Sequence, residues 1–172
     1  RYLGLELANP LVPSASPLSG DLDAARRLED AGAAALVMYS LFEETVEAED
    51  EELADMLHHQ DIGHPEAATF RPVPSEYRSG LDAYLEQVTA LRERLDIPVI
   101  ASLNGATLGG WLEHAREVER AGASAIELNL YHLAADPDDD PATVENRYLE
   151  VVEELRRQVQ VPLTVKLTAQ LT

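Results

Sequence analysis

Lys166 is the only lysine among the 13 basic residues of the chain; all the others are arginine. It lies in residues 161–168, VPLTVKLT, an apolar and β-branched run that predicts a short buried strand opened by Pro162. An amine near the C-terminal end of such a strand can serve as a fixed cation or, deprotonated, as a nucleophile, and arginine cannot do the second. The competing reading is a lysine that snorkels from the strand end or pairs with a carboxylate. Four more groups sit at comparable places: Ser14-Ala15-Ser16 after a short apolar run, Tyr39-Ser40, Asn104, and Asn129 within AIELNL. Each alone is ordinary, since a strand-end asparagine is equally a satisfied core or turn amide and SASPLSG equally an ordinary loop. Together they offer two amides, a lysine and small-residue turns, which suits a flat heteroaromatic ligand.

The elements that must position these groups follow from periodicity and punctuation. Strands are predicted over 11–15, 33–39, 97–103, 125–130 and 161–168, after an N-terminal strand or hairpin in 1–13. Helices are predicted over 22–31, 80–95, 111–121 and 142–159. Ser19-Gly20-Asp21 offers the first N-cap, and Gly32 a C-terminal stop. Two junctions recur. LEDAGAAAL at 28–36 resembles VERAGASAI at 118–126, and LDIPVIASL at 95–103 resembles VQVPLTVKL at 159–167. Two kinds of helix-to-strand turn therefore alternate, the trace of a repeated βα architecture with a parallel sheet.

Residues 43–60 carry eight carboxylates, with His58, His59 and His64 after them. Adjacent histidines diverge by about 100° on a helix, so a solvated acidic face is expected and no metal site. Residues 62–79 read as a long loop over the site, where Phe70, Arg71 and Tyr77 could touch a ligand.

The 172 residues, 45% hydrophobic, are enough for one domain with a real core. No apolar run is long enough to span a membrane. There is no cysteine, so thiolate metal sites and a cysteine nucleophile are excluded within the chain, and a cytoplasmic location is expected. Net charge is −19, which argues against nucleic acid and anionic membrane as partners.

In order and approximate spacing, NPLVPSAS, SLNG, IELNLYH and VPLTVKL resemble the FMN-dependent dihydroorotate dehydrogenases, closest to their dihydroorotate dehydrogenase-like branch. The resemblance implies a (β/α)8 barrel of which residues 1–172 hold about the first five βα units, the later strands carrying the phosphate loops. It implies oxidation of dihydroorotate or a related small molecule, a step of pyrimidine biosynthesis, and a homodimer when full-length. By position, Ser14, Ala15, Ser16, Ser40, Asn104, Asn129 and Lys166 are its flavin contacts. Lys166 would stabilise negative charge on the reduced ring, and His132 falls at the position of the catalytic base. The chain departs from the family where Ser-Cys-Pro-Asn is replaced by Leu130-Tyr131-His132-Leu133-Ala134, and where Tyr39 stands for a lysine. Two other readings stay open: an aldolase or synthase using Lys166 as a Schiff-base amine, and a catalytically inactive barrel fragment.

Overall fold

The computed structural model describes residues 1–49, 51–52, 79–105, 108–130 and 140–167. His132, His58, His59, His64, Phe70, Arg71 and Tyr77 lie outside the described residues. Four strands form one parallel sheet in sequence order: β1 (Leu36–Phe42), β2 (Val99–Asn104), β3 (Ala125–Leu130) and β4 (Leu163–Leu167). Helices α1 (Leu22–Asp30), α2 (Gly80–Arg94), α3 (Leu108–Arg120) and α4 (Pro141–Gln158) alternate with them. This is the expected α/β architecture, a parallel sheet of the kind that forms part of a (β/α)8 barrel, with four strands among the described residues where about five were expected.

Near-continuous apolar strands make sense here because both faces are covered. Leu36, Met38, Val99, Ala101, Leu103, Ile126 and Leu128 face outward and pack with Tyr84, Val88 and Leu91 of α2, Trp111, Ala115 and Val118 of α3, and Leu155 of α4. Ala35, Val37, Ile100 and Ala125 face inward and meet Leu3, Leu5 and Leu7 of the N-terminal segment. That segment is a two-residue hairpin, paired at Tyr2 and Leu5. Leu3 (φ 52°) and Gly4 (φ 76°) both adopt the left-handed conformation that such a turn requires. It fills the end of the inner face away from the strands' C-termini.

The strand expected over 11–15 is not one. Ala34 N–H donates to the Leu11 carbonyl at 2.8 Å and Val37 N–H to the Pro13 carbonyl at 3.1 Å, so the segment lies along β1. It cannot complete a ladder. Pro13 has no N–H, and the Leu11 N–H is taken by Asn9 Oδ1 at 2.8 Å. It holds the place of a first strand with carbonyls alone.

The two recurring junctions interlock. After α1, Gly32 N–H reaches the Glu29 carbonyl and Ala33 N–H the Leu28 carbonyl; after α3, Gly122 and Ala123 do the same to Glu119 and Val118. Both glycines have φ near +100°, so both helices end in the same glycine-dependent motif. The glutamate beside each then caps the other junction. Glu29 Oε1 accepts Asp96 N–H at 2.7 Å and Ile97 N–H at 3.1 Å. Glu119 Oε1 accepts Gln160 N–H at 2.7 Å and Val161 N–H at 3.0 Å. Repetition in the sequence is thus repetition of a device that fixes where β2 and β4 begin.

Among the described residues, no helix is long and apolar enough to cross a membrane, and no group of three or more His, Cys, Asp or Glu could hold a metal ion.

Replacing Glu29 or Glu119 by alanine should each cost about 1–3 kcal/mol, since two backbone N–H groups lose a charged acceptor. The two losses should add, because the sites share no partner. Denaturant midpoints of full-length single and double variants measure this; a negligible loss in either would remove the glutamates as junction locks.

Candidate functional site

An irregularity in β1 builds the site. Val37 pairs with Ile100 and Ser40 with Ser102, so Met38 and Tyr39 together oppose Ala101. Two residues against one is a β-bulge, and it reverses the inward–outward alternation. Met38 and Tyr39 both face the helices, and Ser40 instead of Tyr39 faces inward. The expectation that Tyr39 and Ser40 converge on one site is therefore corrected: only Ser40 joins it.

A bulge strands backbone polar groups, which must be satisfied when buried. Two side chains do so. Ser19 Oγ, fully buried, accepts the Tyr39 N–H at 2.7 Å and donates to the Ser16 carbonyl at 2.9 Å. Tyr84, fully buried on α2, accepts the Ser102 N–H at 2.9 Å and donates to the Ser102 carbonyl at 3.1 Å. Its ring also meets the Tyr39 ring edge-on at 5.1 Å. Burial raises the Tyr84 hydroxyl well above the ordinary tyrosine range and raises Tyr39 in the same direction.

Inward from this frame lies a polar layer. Ser40 Oγ and Ser102 Oγ are 2.9 Å apart. Asn129 Nδ2 donates to Ser40 Oγ at 3.0 Å and to Ser102 Oγ at 3.1 Å. Ser102 O–H donates to Glu127 Oε1 at 3.4 Å, and Lys166 Nζ donates to the same oxygen at 2.9 Å. Lys166 is thus in an ion pair, with a side chain 41% exposed, and Asn129 and Lys166 are opposed in the β3–β4 register. Asn129 is 2% exposed, yet among the described residues its Oδ1 has no hydrogen-bond partner. A buried orphan acceptor beside a cation is a place for a ligand that offers an N–H and a carbonyl.

The other expected residues are placed less directly. Ser14 lines a cavity of about 610 Å³ together with Val37, Glu127 and hairpin residues. Ala15 packs on the inner apolar cluster. Ser16 precedes a 3-10 turn (Pro17–Gly20), and its carbonyl receives Ser19. Asn104 is half-buried two residues beyond Ser102 on β2, opposite Phe42.

Sequence reasoning missed Glu127, Ser102, Tyr84 and Glu43. The reading of 43–60 as a solvated face fails at its first residue. Glu43 is 2% exposed, and Gly105 and Gly110 both lie against its carboxylate. A Cβ on Gly105 would sit 2.9 Å from Glu43 Oε2 and 2.7 Å from the Trp111 ring, and one on Gly110 would collide with the same carboxylate. Gly105, beside Asn104, and Gly110 were the available signal.

No family model matches the chain. It is 40% identical over 80 residues to a protein of Aeropyrum pernix named "Putative dihydroorotate dehydrogenase A (fumarate)", covering 44% of this chain and 25% of that one. Among solved structures it is similar to a dihydrodipicolinate synthase at 10% identity and TM-score 0.52, over 90% of this chain and 44% of that one. It is also similar to an E. coli K12 prophage protein of the dihydrodipicolinic acid synthase family, solved with pyruvate. That match has 15% identity and TM-score 0.55, over 97% of this chain and 47% of that one. At these identities the structures bear on fold alone. The chain spans a quarter of the curated relative and less than half of these two solved proteins.

Tyr84→Phe should destabilise the full-length protein by about 2 kcal/mol, because Ser102 N–H and C=O lose their partner. Backbone amide exchange at Ser102 should accelerate, and unchanged protection there would refute the repair role. A raised tyrosine is neutral in the fold, so its contribution is intact below about pH 10 and is lost as pH rises beyond the unfolded value. The denaturant midpoint should therefore fall more steeply above pH 10 in wild type than in Tyr84→Phe.

Proposed function

We propose that the full-length protein is an FMN-dependent oxidoreductase of the dihydroorotate dehydrogenase type, acting on dihydroorotate or a related cyclic amide. The observation that carries this is the buried Asn129 Oδ1, which has no partner among the described residues, on a residue opposite Lys166 in the β3–β4 register. The two offer an acceptor and a donor on adjacent strands, whose backbones run about 5 Å apart. A cyclic N–H/C=O edge complements that pair, and the flavin ring and dihydroorotate both carry one. The 40% identity over 80 residues supports the same reading.

The residues present fit the ring of FMN, which when bound would supply the hydride acceptor. Lys166 would hold a ring carbonyl and balance negative charge. Asn129 Oδ1 would accept a ring N–H, with Ser40 and Ser102 holding its amide, and Asn104 would reach the ring from β2. Ser14, Ala15 and Ser16 would let the ring lie against the backbone. The proton lost along with the hydride needs a base, and His132 is assigned that role from its position in the sequence. A small-molecule substrate and a homodimer belong to the same proposal.

We also take the chain as the N-terminal part of a longer barrel. No residue of β4 is fully buried, and Leu149 on α4 and Leu167 on β4 are exposed at 59% and 43%. Further βα units would cover both. Expressed alone, the 172 residues should self-associate through that edge and bind FMN poorly. Light scattering after size exclusion, with FMN titration, checks this; a monomer binding FMN at micromolar levels would contradict it.

A second reading, a Schiff-base aldolase or synthase, rests on Lys166 opening inward near a barrel strand's C-terminal end. It requires the amine free of Glu127. The visible spectrum of full-length protein, with borohydride trapping on a carbonyl substrate, separates the two. Flavin absorbance and no trapped adduct are expected; a colourless protein trapped at Lys166 would replace the first reading by the second. In the flavin-loaded protein, Lys166→Ala should slow flavin reduction by an order of magnitude or more while leaving the fold intact, on the scale of about 1.4 kcal/mol per tenfold. Unchanged reduction kinetics would remove Lys166 from the chemistry. The basic limb of the pH–rate profile should disappear in His132→Ala; an unchanged profile would remove His132 as base.

A further inference from the structure

The inner layer admits one consistent arrangement of protons. The ammonium of Lys166 and Nδ2 of Asn129 only donate, and an ionised carboxylate only accepts. Asn129 gives its two protons to Ser40 Oγ and Ser102 Oγ. Both hydroxyl protons must then point onward. Ser40 donates to Ser102 at 2.9 Å, and Ser102 donates to Glu127 Oε1 at 3.4 Å. Lys166 reaches the same Oε1 at 2.9 Å from the other side. The bonds run Asn129 to Ser40 to Ser102 to Glu127, and Lys166 meets the same carboxylate. Glu127 also lines the inner cavity, with its side chain 16% exposed.

We propose that Glu127 is the positioning residue of this site: its carboxylate holds the Lys166 ammonium in place. Through the Ser102 and Ser40 hydroxyls it also fixes which way the Asn129 amide faces. That second effect leaves Oδ1, and not Nδ2, as the group presented to a ligand. The site therefore selects a ligand that donates an N–H to Asn129 and takes a hydrogen bond from Lys166. Glu127 itself stays behind both. The inference stands on these hydrogen bonds and does not depend on which cofactor or reaction the site serves.

Glu127→Gln keeps the shape and removes the charge. Its amide can donate to Ser102 Oγ where the carboxylate accepted, which reverses the hydroxyls and turns Asn129. Ser102→Ala keeps the ion pair and cuts the link to Asn129. Both variants are compared with wild type in the full-length protein with no cofactor added. One readout is acylation of Lys166 relative to the α-amino group of the same molecule, a ratio that cancels any global loosening. The other is hydrogen exchange of the Asn129 side-chain amide, followed by ¹⁵N NMR. Glu127→Gln should raise the Lys166 ratio about threefold, the scale of a half-exposed ion pair, and should accelerate Asn129 exchange. Ser102→Ala should accelerate Asn129 exchange and leave the Lys166 ratio unchanged. An unaltered ratio in folded Glu127→Gln would overturn the proposal. So would Asn129 exchange that ignores Ser102→Ala, which decides the matter even if the glutamine variant does not fold.

Discussion

A parallel strand buried on both faces has no spare backbone group, and the bulge in β1, the first strand of the sheet, breaks that rule. Everything polar on the inner face depends on how the break is repaired. Without the extra residue, Tyr39 would point inward and Ser40 outward. With it, Ser40 meets Ser102 at 2.9 Å and both hold Asn129. The repair comes from outside the sheet. Ser19, from the turn before α1, and Tyr84, from α2, bond the groups that the ladder leaves open. Local strand geometry, helix packing and the composition of the site are thus one problem with one solution.

Charge adds a second layer to that solution. The chain carries 32 acidic residues against 13 basic ones, yet the charges at the site are nearly balanced. Lys166 and Glu127 form an ion pair where β3 and β4 adjoin. An ion pair half open to solvent adds little to stability, so its value lies in orientation. It gives the hydroxyl network a fixed direction, and with it a free acceptor at Asn129. Glu43 does a related thing for the backbone, since Gly105 and Gly110 approach its carboxylate where a side chain would collide.

Much of the scaffold is legible in the sequence because its signals are local. Asp21 caps α1, Gly32 and Gly122 end helices, and the repeated junctions mark the starts of strands. Asn129 and Lys166 could be placed near one another because strands alternate and parallel strands end together. The bulge could not be read, since AAALVMYS is an unbroken apolar run with no period to show where parity changes. Tyr84 was legible as one position of an apolar helical stripe, but its hydroxyl finds a partner 18 residues away on β2. Glu127 was hidden inside a strand that its neighbours already explained. Glu43 opens an acidic run whose bulk reads as solvated, and burial of its first member is a tertiary effect. The strand at 11–15 failed for a legible reason, since Pro13 cannot donate to a ladder.

The central claim is that this repaired bulge presents a free amide oxygen to a ligand. A crystal structure of the full-length protein as purified tests it most directly. The account predicts a planar ring over the inner face, a ring N–H within about 3 Å of Asn129 Oδ1, Lys166 at a ring carbonyl, and Ser40 inward. Asn129 Oδ1 bonded to a protein group, with Ser40 facing the helices and no ring bound, would contradict it.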